Sequence, residues 1–189
     1  MTTTVTPDLV QTLRGTWDID QTHTEVGFVI RHLMVSKVRG QFNQFSGSFT
    51  VGADLASSGV EAEIDMASID TNNADRDAHV RSADFFDVEQ FPTMTYRSTG
   101  IRQAGDGYVV DGELSLHGVT KPVALDLEVN GVLPESPFGD TRVGFTATAE
   151  IDRREFDLHW NGPVEGGGVI LGHTVKIQLE VEAIKRVDA

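Results

Sequence analysis

Apolar and polar residues alternate with a period of two along most of this chain. The clearest example is 175–182, where Val, Ile, Leu and Val alternate with Lys, Gln, Glu and Glu. The same pattern occurs at 60–65, 123–130 and 145–151. Such alternation is typical of β-strands with one apolar and one solvated face. Further strands are predicted at 16–20, 26–31, 38–51, 93–102 and 108–116.

About nine strands with one apolar face each must bury those faces against one another. The fold class is therefore all-β, either a closed barrel or a two-sheet sandwich. The Gly-rich segments 105–107 and 117–118 lie between predicted strands and indicate short hairpins, so neighbouring strands should be antiparallel. The aromatic residues change parity between Phe42 and Phe45, which predicts a bulge or bend near Gln44.

The alternation fails between 71 and 91, where the pattern favours one or two short helices. Asn73 can cap the start of a helix, and Asp75 and Asp77 would then lie favourably in its first turn. Pro92 follows the segment and cannot continue a helix. We therefore predict a short helical insert in a β-protein.

The insert 73–87 has two interpretations. In the first, its aromatic residues fill part of the core of the protein. In the second, the segment is a lid over the mouth of a barrel, in which Phe85 and Phe86 touch a ligand and Arg76 and Asp77 anchor the closed position. The two roles are compatible.

Length and charge restrict the classes of function. A chain of 189 residues suits one domain, predicted at 16–189 after a flexible N-terminal segment at 1–15. The absence of cysteine excludes disulfides and thiolate sites. A net charge of −14 repels phosphate backbones, so nucleic acid is not an expected partner. No signal-like segment or apolar run of about 18 residues is present, which predicts a cytoplasmic location without stable membrane insertion.

Motifs for catalysis or metal binding are lacking. The histidines show no HxxH, HxH or HExxH spacing, so the sequence favours no metal site. The glycines at 166–168 lack the Lys-Ser/Thr of a phosphate loop, and no Gly-x-Ser-x-Gly elbow occurs. We expect neither a cofactor nor an enzymatic activity. The six histidines are His23, His32, His79, His117, His159 and His173.

A series of short motifs runs through almost the whole chain, from 16 to 185. In this order and spacing they are specific, and with them the chain resembles the YceI-like family, also called the polyisoprenoid-binding or lipocalin-like family. Thr24 stands where relatives often have Ser, and many relatives are exported. The motifs are Trp17-Asp18-Ile19-Asp20, His23-Thr24-Glu25-Val26-Gly27-Phe28, His32, Val38-Arg39-Gly40-Gln41-Phe42, Ala67-Ser68-Ile69-Asp70-Thr71, Arg76-Asp77, Phe85-Phe86-Asp87, Phe91-Pro92, Leu116-His117-Gly118-Val119-Thr120-Lys121, Ile151-Asp152-Arg153 and Phe156.

The resemblance implies an extended antiparallel, lipocalin-like β-barrel of about eight to nine strands around a long apolar tunnel. The implied partner is a long-chain isoprenoid, a quinone or a fatty-acid-like lipid. Apolar positions on inward rows, together with His32 and the aromatic pair of the insert, are the candidate ligand-binding residues. These are Phe28, Ile30, His32, Phe42, Phe49, Ile64, Phe85, Phe86, Met94, Tyr96, Leu125, Phe145 and Trp160.

The headgroup of such a ligand is open from sequence. The net charge of −14 favours neutral quinones or alcohols over phosphorylated lipids, with binding nearly insensitive to salt. If the headgroup is anionic, Arg76, Arg81 and Arg97 are the candidates to contact it.

Two other functions stay open at this point. The protein could be a stress-related interaction protein with a filled core and no ligand. It could also be an isomerase or hydratase that uses His32, His23 or His159 as an acid or base. The sequence leaves the oligomeric state open, with a homodimer among the alternatives.

Overall fold

The computed structural model describes residues 7–187. Two α-helices and eleven β-strands make up most of this range, and short 3₁₀ turns connect several of them. The helices are α1 (Pro7–Leu13) and α2 (Ala74–Arg81). The strands are β1 (Gly15–Ile19), β2 (Glu25–His32), β3 (Ser36–Phe42), β4 (Phe45–Val51), β5 (Gly59–Asp65), β6 (Ile69–Asp70), β7 (Thr93–Ala104), β8 (Gly107–Leu116), β9 (Val119–Leu133), β10 (Arg142–Asp152) and β11 (Leu171–Lys185).

The strands form one antiparallel sheet that closes on itself. Strand β1 closes it by pairing with β4 on one side and with β11 on the other, where Trp17 lies opposite both Phe49 and Lys185. The closed circuit runs β1-β4-β5-β7-β8-β9-β10-β11 and contains eight strands. Strands β2, β3 and β6 extend this wall at one end, where β11 pairs with β2 and β3 pairs with β6. The predicted lipocalin-like barrel is therefore confirmed.

The hairpins lie where the glycine pattern predicts them. Ala104 pairs with Gly107, and Leu116 pairs with Val119. In the second turn Gly118 has a φ of 74°, in the left-handed region that glycine enters without steric penalty. Each of these tight turns makes the flanking strands antiparallel neighbours.

The predicted irregularity near Gln44 is an interruption of the strand rather than a bulge within it. Strand β3 ends at Phe42, and β4 begins at Phe45. Between them the backbone carbonyl of Gln44 accepts a hydrogen bond from the amide of Asp65 at 3.0 Å. The break lets Phe42 and Phe45 both face the interior although their sequence parity differs.

The N-terminal segment differs from the prediction of a flexible stretch at 1–15. Helix α1 lies within it, and Leu13 is buried against the barrel. The backbone carbonyl of Leu13 accepts a hydrogen bond from Nε1 of the fully buried Trp17 at 2.7 Å. This part of the segment is ordered because it covers apolar surface at one end of the barrel, while residues 1–6 lie outside the described range.

The predicted helical insert is present as α2. The side chain of Asn73 accepts a hydrogen bond from the amide of Arg76 at 2.9 Å and caps the helix as predicted. Neither helix within the described range is long and apolar enough to cross a membrane. Helix α2 lies at the end of the barrel opposite α1, so the helices mark its two ends.

An ionic cluster holds the chain together beside the closing strand. The guanidinium of Arg142 donates to Asp140 at 2.8 and 2.9 Å, to Asp20 at 3.1 Å and to Glu182 at 2.5 Å. Hydrogen bonds from Arg142 and Ser136 hold the pKa of Asp140 below its usual value. The pKa of Asp20 is also lowered, by bonds from His23 first and from Thr22 and Arg142 in addition.

Replacing Arg142 by Met should lower the melting temperature by several degrees, because three carboxylates would lose their shared cation. Carboxylates with lowered folded pKa values stabilise the fold above about pH 4, and this contribution is lost as the pH falls through the folded pKa. The gap between wild type and variant should therefore narrow toward pH 3. The matched control is Arg97→Met, since Arg97 forms an exposed pair with Glu61 at 3.5 Å and should shift the melting temperature by less than about 1 °C. An equal gap at pH 3 and pH 7 would contradict this assignment.

Candidate ligand-binding cavity

The barrel encloses a cavity of about 490 Å³. It runs from α1, where Leu9, Val10 and Leu13 contribute to its wall, to α2, where Val80 contributes. Its size lies within the range of about 300–1,000 Å³ found for small-molecule sites. The wall is almost entirely apolar, because the inward row of every strand consists mainly of aliphatic and aromatic residues.

All thirteen candidate ligand-binding residues lie on the wall of this cavity. The strand parity read from the sequence is therefore correct, since a slip by one residue would turn a row outward. Whether these side chains contact a ligand stays a prediction. The residues are Phe28, Ile30, His32, Phe42, Phe49, Ile64, Phe85, Phe86, Met94, Tyr96, Leu125, Phe145 and Trp160.

Tyr96 lines the cavity, and its polar hydroxyl is bonded to the backbone of the wall. Its hydroxyl donates to the backbone carbonyls of Val110 and Val123, both at 3.0 Å. Gly112 makes room for this ring, because a Cβ there would lie 2.4 Å from the Tyr96 Cζ and hydroxyl oxygen. Burial, together with the charge of Asp111, raises the pKa of Tyr96 to about 12. The phenol is thus a neutral, satisfied part of the wall.

Aromatic rings cover the cavity at the α2 end. The ring centroids of His79 and Trp160 are 4.9 Å apart, those of Phe85 and Trp160 are 4.9 Å apart, and those of His79 and Phe85 are 5.1 Å apart. The ring centroid of Phe86 lies 6.2 Å from that of Phe42 on β3. Both aromatic residues of the insert therefore reach the cavity, as the lid interpretation predicts.

Side-chain hydrogen bonds fasten α2 to strand β6 and to the residues just before and just after that strand. The Oδ1 atom of Asp77 accepts from the amide of Thr71 at 2.9 Å and from its hydroxyl at 2.5 Å. Arg76 donates to the hydroxyl and the carbonyl of Thr71, both at 2.7 Å. Arg81 donates to the carbonyls of Ala67 and Ile69 at 2.8 and 2.9 Å. The predicted anchoring by Arg76 and Asp77 is thus present in the structure.

Arg153 is the buried charge in the cavity wall, with 3% of its surface exposed. Its Nε donates to the carbonyl of Gly172 at 2.9 Å, and its Nη1 donates to the carbonyls of Leu158 and Trp160 at 2.5 and 2.9 Å. Its Nη2 is buried and has no hydrogen-bond partner among the described residues. Desolvation lowers the pKa of this guanidinium.

Arg153 was not among the candidate residues, although a signal for it exists. It continues the inward row of β10 that includes Phe145, Ala147 and Ile151. A charged residue at the end of an apolar row is easily assigned to solvent. The lining residues of α1 have no comparable signal, because the sequence predicts a flexible segment at 1–15.

The three histidines considered for catalysis form no hydrogen bond with one another among the described residues. Of the three, His32 lines the cavity, and its side chain has no hydrogen-bond partner among the described residues. The side chains of His23 and His159 are mostly exposed and lie beside Asp20 and Asp157. The structure therefore assembles no acid–base pair around His32.

Three possible metal ligands converge outside the cavity. The side chains of Asp20, His23 and Glu182 bring their ligand atoms within 4.8 Å of one another, which the sequence spacing did not indicate. The guanidinium of Arg142 already bonds to both carboxylates. The cluster is therefore accounted for as the ionic cluster described above, and we assign no metal to it.

A closed antiparallel barrel around an apolar cavity defines a lipocalin-like architecture, which suits the enclosure of one small ligand. The sequence profile of the YceI-like domain matches residues 17–183. The chain therefore belongs to the YceI-like family.

Curated relatives and solved structures agree with this assignment. A UPF0312 protein of Vibrio vulnificus is 38% identical over 171 residues, covering 89% of this chain and 86% of that protein. The crystal structure of BcnA from Burkholderia cenocepacia has a TM-score of 0.75 at 25% identity, over 87% of this chain and 99% of that one. The YCEI protein of Campylobacter jejuni has a TM-score of 0.70 at 30% identity, over 89% and 96% of the two chains. A polyisoprenoid binding domain from Saccharophagus degradans has the same fold, with a TM-score of 0.68 at 16% identity over 90% and 98%.

The hydroxyl of Tyr96 should contribute to stability rather than to binding. Tyr96→Phe should lower the free energy of unfolding by about 1–2 kcal/mol at pH 7, because two buried carbonyls lose a donor. Since the folded pKa is raised, this contribution is complete below about pH 10 and is lost as the pH rises toward the folded value. Denaturant unfolding at pH 7 and above pH 10 measures both effects. Tyr108→Phe is the control, because the Tyr108 hydroxyl makes no hydrogen bond within the described residues; an equal loss in both variants would contradict the prediction.

Proposed function

We propose that this protein binds one long apolar molecule inside its barrel and stores or transports it. The observation that carries the proposal is the cavity of about 490 Å³, whose wall is apolar from α1 to α2. A filled core, as the ligand-free interaction protein would have, does not fit such a cavity. The absence of catalysis and the cytoplasmic location stay predictions.

The physical chemistry of the wall favours an alkyl or isoprenoid chain. Removing a CH₂ group from water gains about 0.8 kcal/mol, so a long chain needs few polar contacts to be held. Lipids start from membranes or micelles rather than from water, so the net gain is smaller. Shape and length of the cavity should then select the ligand more than hydrogen bonding does along most of its course.

The comparisons with known proteins also favour an isoprenoid chain as the ligand. The Saccharophagus degradans domain is described as polyisoprenoid binding, and its barrel has the fold of this chain. An isoprenoid chain is therefore the first candidate, with quinone tails and fatty-acid-like lipids as the others.

Solvent extraction of the purified protein followed by mass spectrometry tests the proposal directly. A lipid recovered in stoichiometric amount supports it. For lipid-free protein, uptake of a polyisoprenol or a fatty acid is measured by displacement of an apolar fluorescent dye. No lipid in the extract together with no uptake of either probe would refute the proposed function.

A large side chain placed inside the cavity should block binding. Ala147 lies on the inward row of β10 and lines the cavity, between Leu127 and Leu179 on the neighbouring strands. Ala147→Phe should reduce dye and lipid uptake at least tenfold while lowering stability by about 1–3 kcal/mol through overpacking. The control is Ala124→Phe on the exposed outer face of β9, which should leave uptake unchanged. Equal uptake in both variants would place the ligand outside the barrel.

Ligand exchange should depend on the insert. A long chain enters a closed barrel only if part of the wall moves, and continuous strand ladders open at a large cost. Phe86→Ala should therefore accelerate lipid exchange, and the change in rate should be larger than the loss of stability explains. The control is Phe156→Ala, because Phe156 is 1% exposed and does not line the cavity. That variant should lose about 3–5 kcal/mol with no selective effect on exchange.

Exchange rates and thermal unfolding of lipid-free protein decide between the two roles of the insert. If Phe86→Ala loses stability but exchanges lipid at the wild-type rate, the segment is a core plug and the entrance lies elsewhere.

A further inference from the structure

The cavity is chemically asymmetric along its length. Among the described residues its wall contains no Asp, Glu or Lys, although the chain as a whole carries 29 acidic residues. Its Arg and His side chains are Arg76, Arg153, His32 and His79. All four lie at the α2 end, where Arg76 and His79 belong to α2, Arg153 bonds to the carbonyls of Gly172 and Trp160, and His32 pairs with Leu171. Among the residues whose side chains are described, the wall at the α1 end has no charged member.

No carboxylate among the described residues lines the cavity at the α2 end; the buried Asp77 bonds to Thr71, to which Arg76 also donates, and Asp152 acts on Arg153 through its charge. His79 bonds to the exposed Asp84 at 2.8 Å, outside the cavity wall. The carboxylate of Asp152, next in sequence to Arg153, bonds to Arg154 instead. The net charge of −14 therefore does not describe the local environment, which has basic side chains and no acidic ones in the wall.

Arg153 is the member of this group with a buried, positively charged donor nitrogen, Nη2, that has no acceptor among the described residues. Its other nitrogens bond to three backbone carbonyls, which hold the guanidinium in place beside Trp160. A buried charged donor without an acceptor is expensive, at the upper end of the cost of an unsatisfied polar group. Guanidinium offers donors only, so what is missing is an oxygen or nitrogen acceptor.

We propose that Arg153 binds the headgroup of the enclosed ligand, that this headgroup presents an oxygen acceptor such as a quinone carbonyl, an ester or a carboxylate, and that the ligand lies with its head at the α2 end and its tail toward α1. This inference rests on the proposed function and adds the class and direction of the ligand. Of the arginines considered from sequence, Arg97 lies on the outer face, with 78% of its side chain exposed, and Arg81 bonds backbone carbonyls outside the wall.

The aromatic cover fits this arrangement. Nη2 of Arg153 is shielded from solvent, so a headgroup reaches it only after a rearrangement of the side chains around it. His79, Phe85 and Trp160 surround this end and belong to the insert and to the loop that Arg153 itself holds. A bound acceptor would thus complete the bonding of Arg153 at the place where the ligand enters.

Ligands with the same chain and different heads test the headgroup class. The probes are palmitate, methyl palmitate and hexadecylamine, which present a carboxylate, a neutral acceptor and a cationic donor. Arg153→Met should weaken palmitate and methyl palmitate binding about tenfold or more, and hexadecylamine binding should not weaken. If Arg153→Met weakens the binding of methyl palmitate, a neutral oxygen acceptor is sufficient as the partner of Arg153. If it weakens the binding of palmitate alone, the partner must be an anion. The matched control is Arg154→Met, since Arg154 is next in sequence, half exposed and bonded to Asp152.

The direction of the ligand can be measured in the wild-type protein, so the inference stays testable even if Arg153→Met does not fold. The chain has two tryptophans, and they mark opposite ends: Trp17 beside α1 and Trp160 beside Arg153. In protein labelled with fluorotryptophan, stearate with a nitroxide near its carboxylate should broaden the Trp160 resonance more than that of Trp17. A nitroxide near the methyl end should reverse the ratio.

The outcomes separate the two proposals. The expected order of broadening, with selective loss in Arg153→Met, supports the inference. Binding with the reverse order, or equal weakening of all three probes in Arg153→Met and Arg154→Met, overturns it and leaves the proposed function standing. No binding of any probe to the wild type overturns the proposed function itself.

Discussion

The closure of the sheet through β1 is the constraint on which the rest of the structure depends. This short strand pairs with β4 and β11 at once, and its central residue, Trp17, is fully buried. The indole stacks on Phe49 with centroids 5.8 Å apart and donates to the carbonyl of Leu13. One residue thus joins the two edges of the sheet and fixes helix α1 over the end of the barrel.

Closure makes it possible for the interior to remain partly empty. A closed sheet satisfies its backbone groups around the whole circuit, so the wall does not need a filled core to pair them. The Tyr96 hydroxyl in the wall is satisfied in the same way, by two backbone carbonyls. The buried Nη2 of Arg153 has no acceptor among the described residues, and it lies at the same end of the cavity as the other basic side chains of the wall.

Much of this architecture can be read from local patterns. Strand parity is a local property, which is why the candidates on inward rows, from Phe28 on β2 to Phe145 on β10, all face the cavity. The cap at Asn73 and the turn at Gly118 are also local, since each depends on the conformation of a few adjacent residues. Helix α1 could not be read in this way, because its apolar residues are favourable only where the end of a barrel needs cover.

By itself, the sequence determined which residues alternate, where the chain turns and which family it resembles, because all of these depend on neighbours in the chain. Only the tertiary structure decided that the sheet closes through β1, that a cavity of about 490 Å³ remains and that the basic side chains in its wall gather at one end. His32 comes from β2, His79 from α2 and Arg153 from the turn directly after β10, and no spacing relates them. Their proximity follows from strand register and curvature, which are set by the packing of the whole barrel.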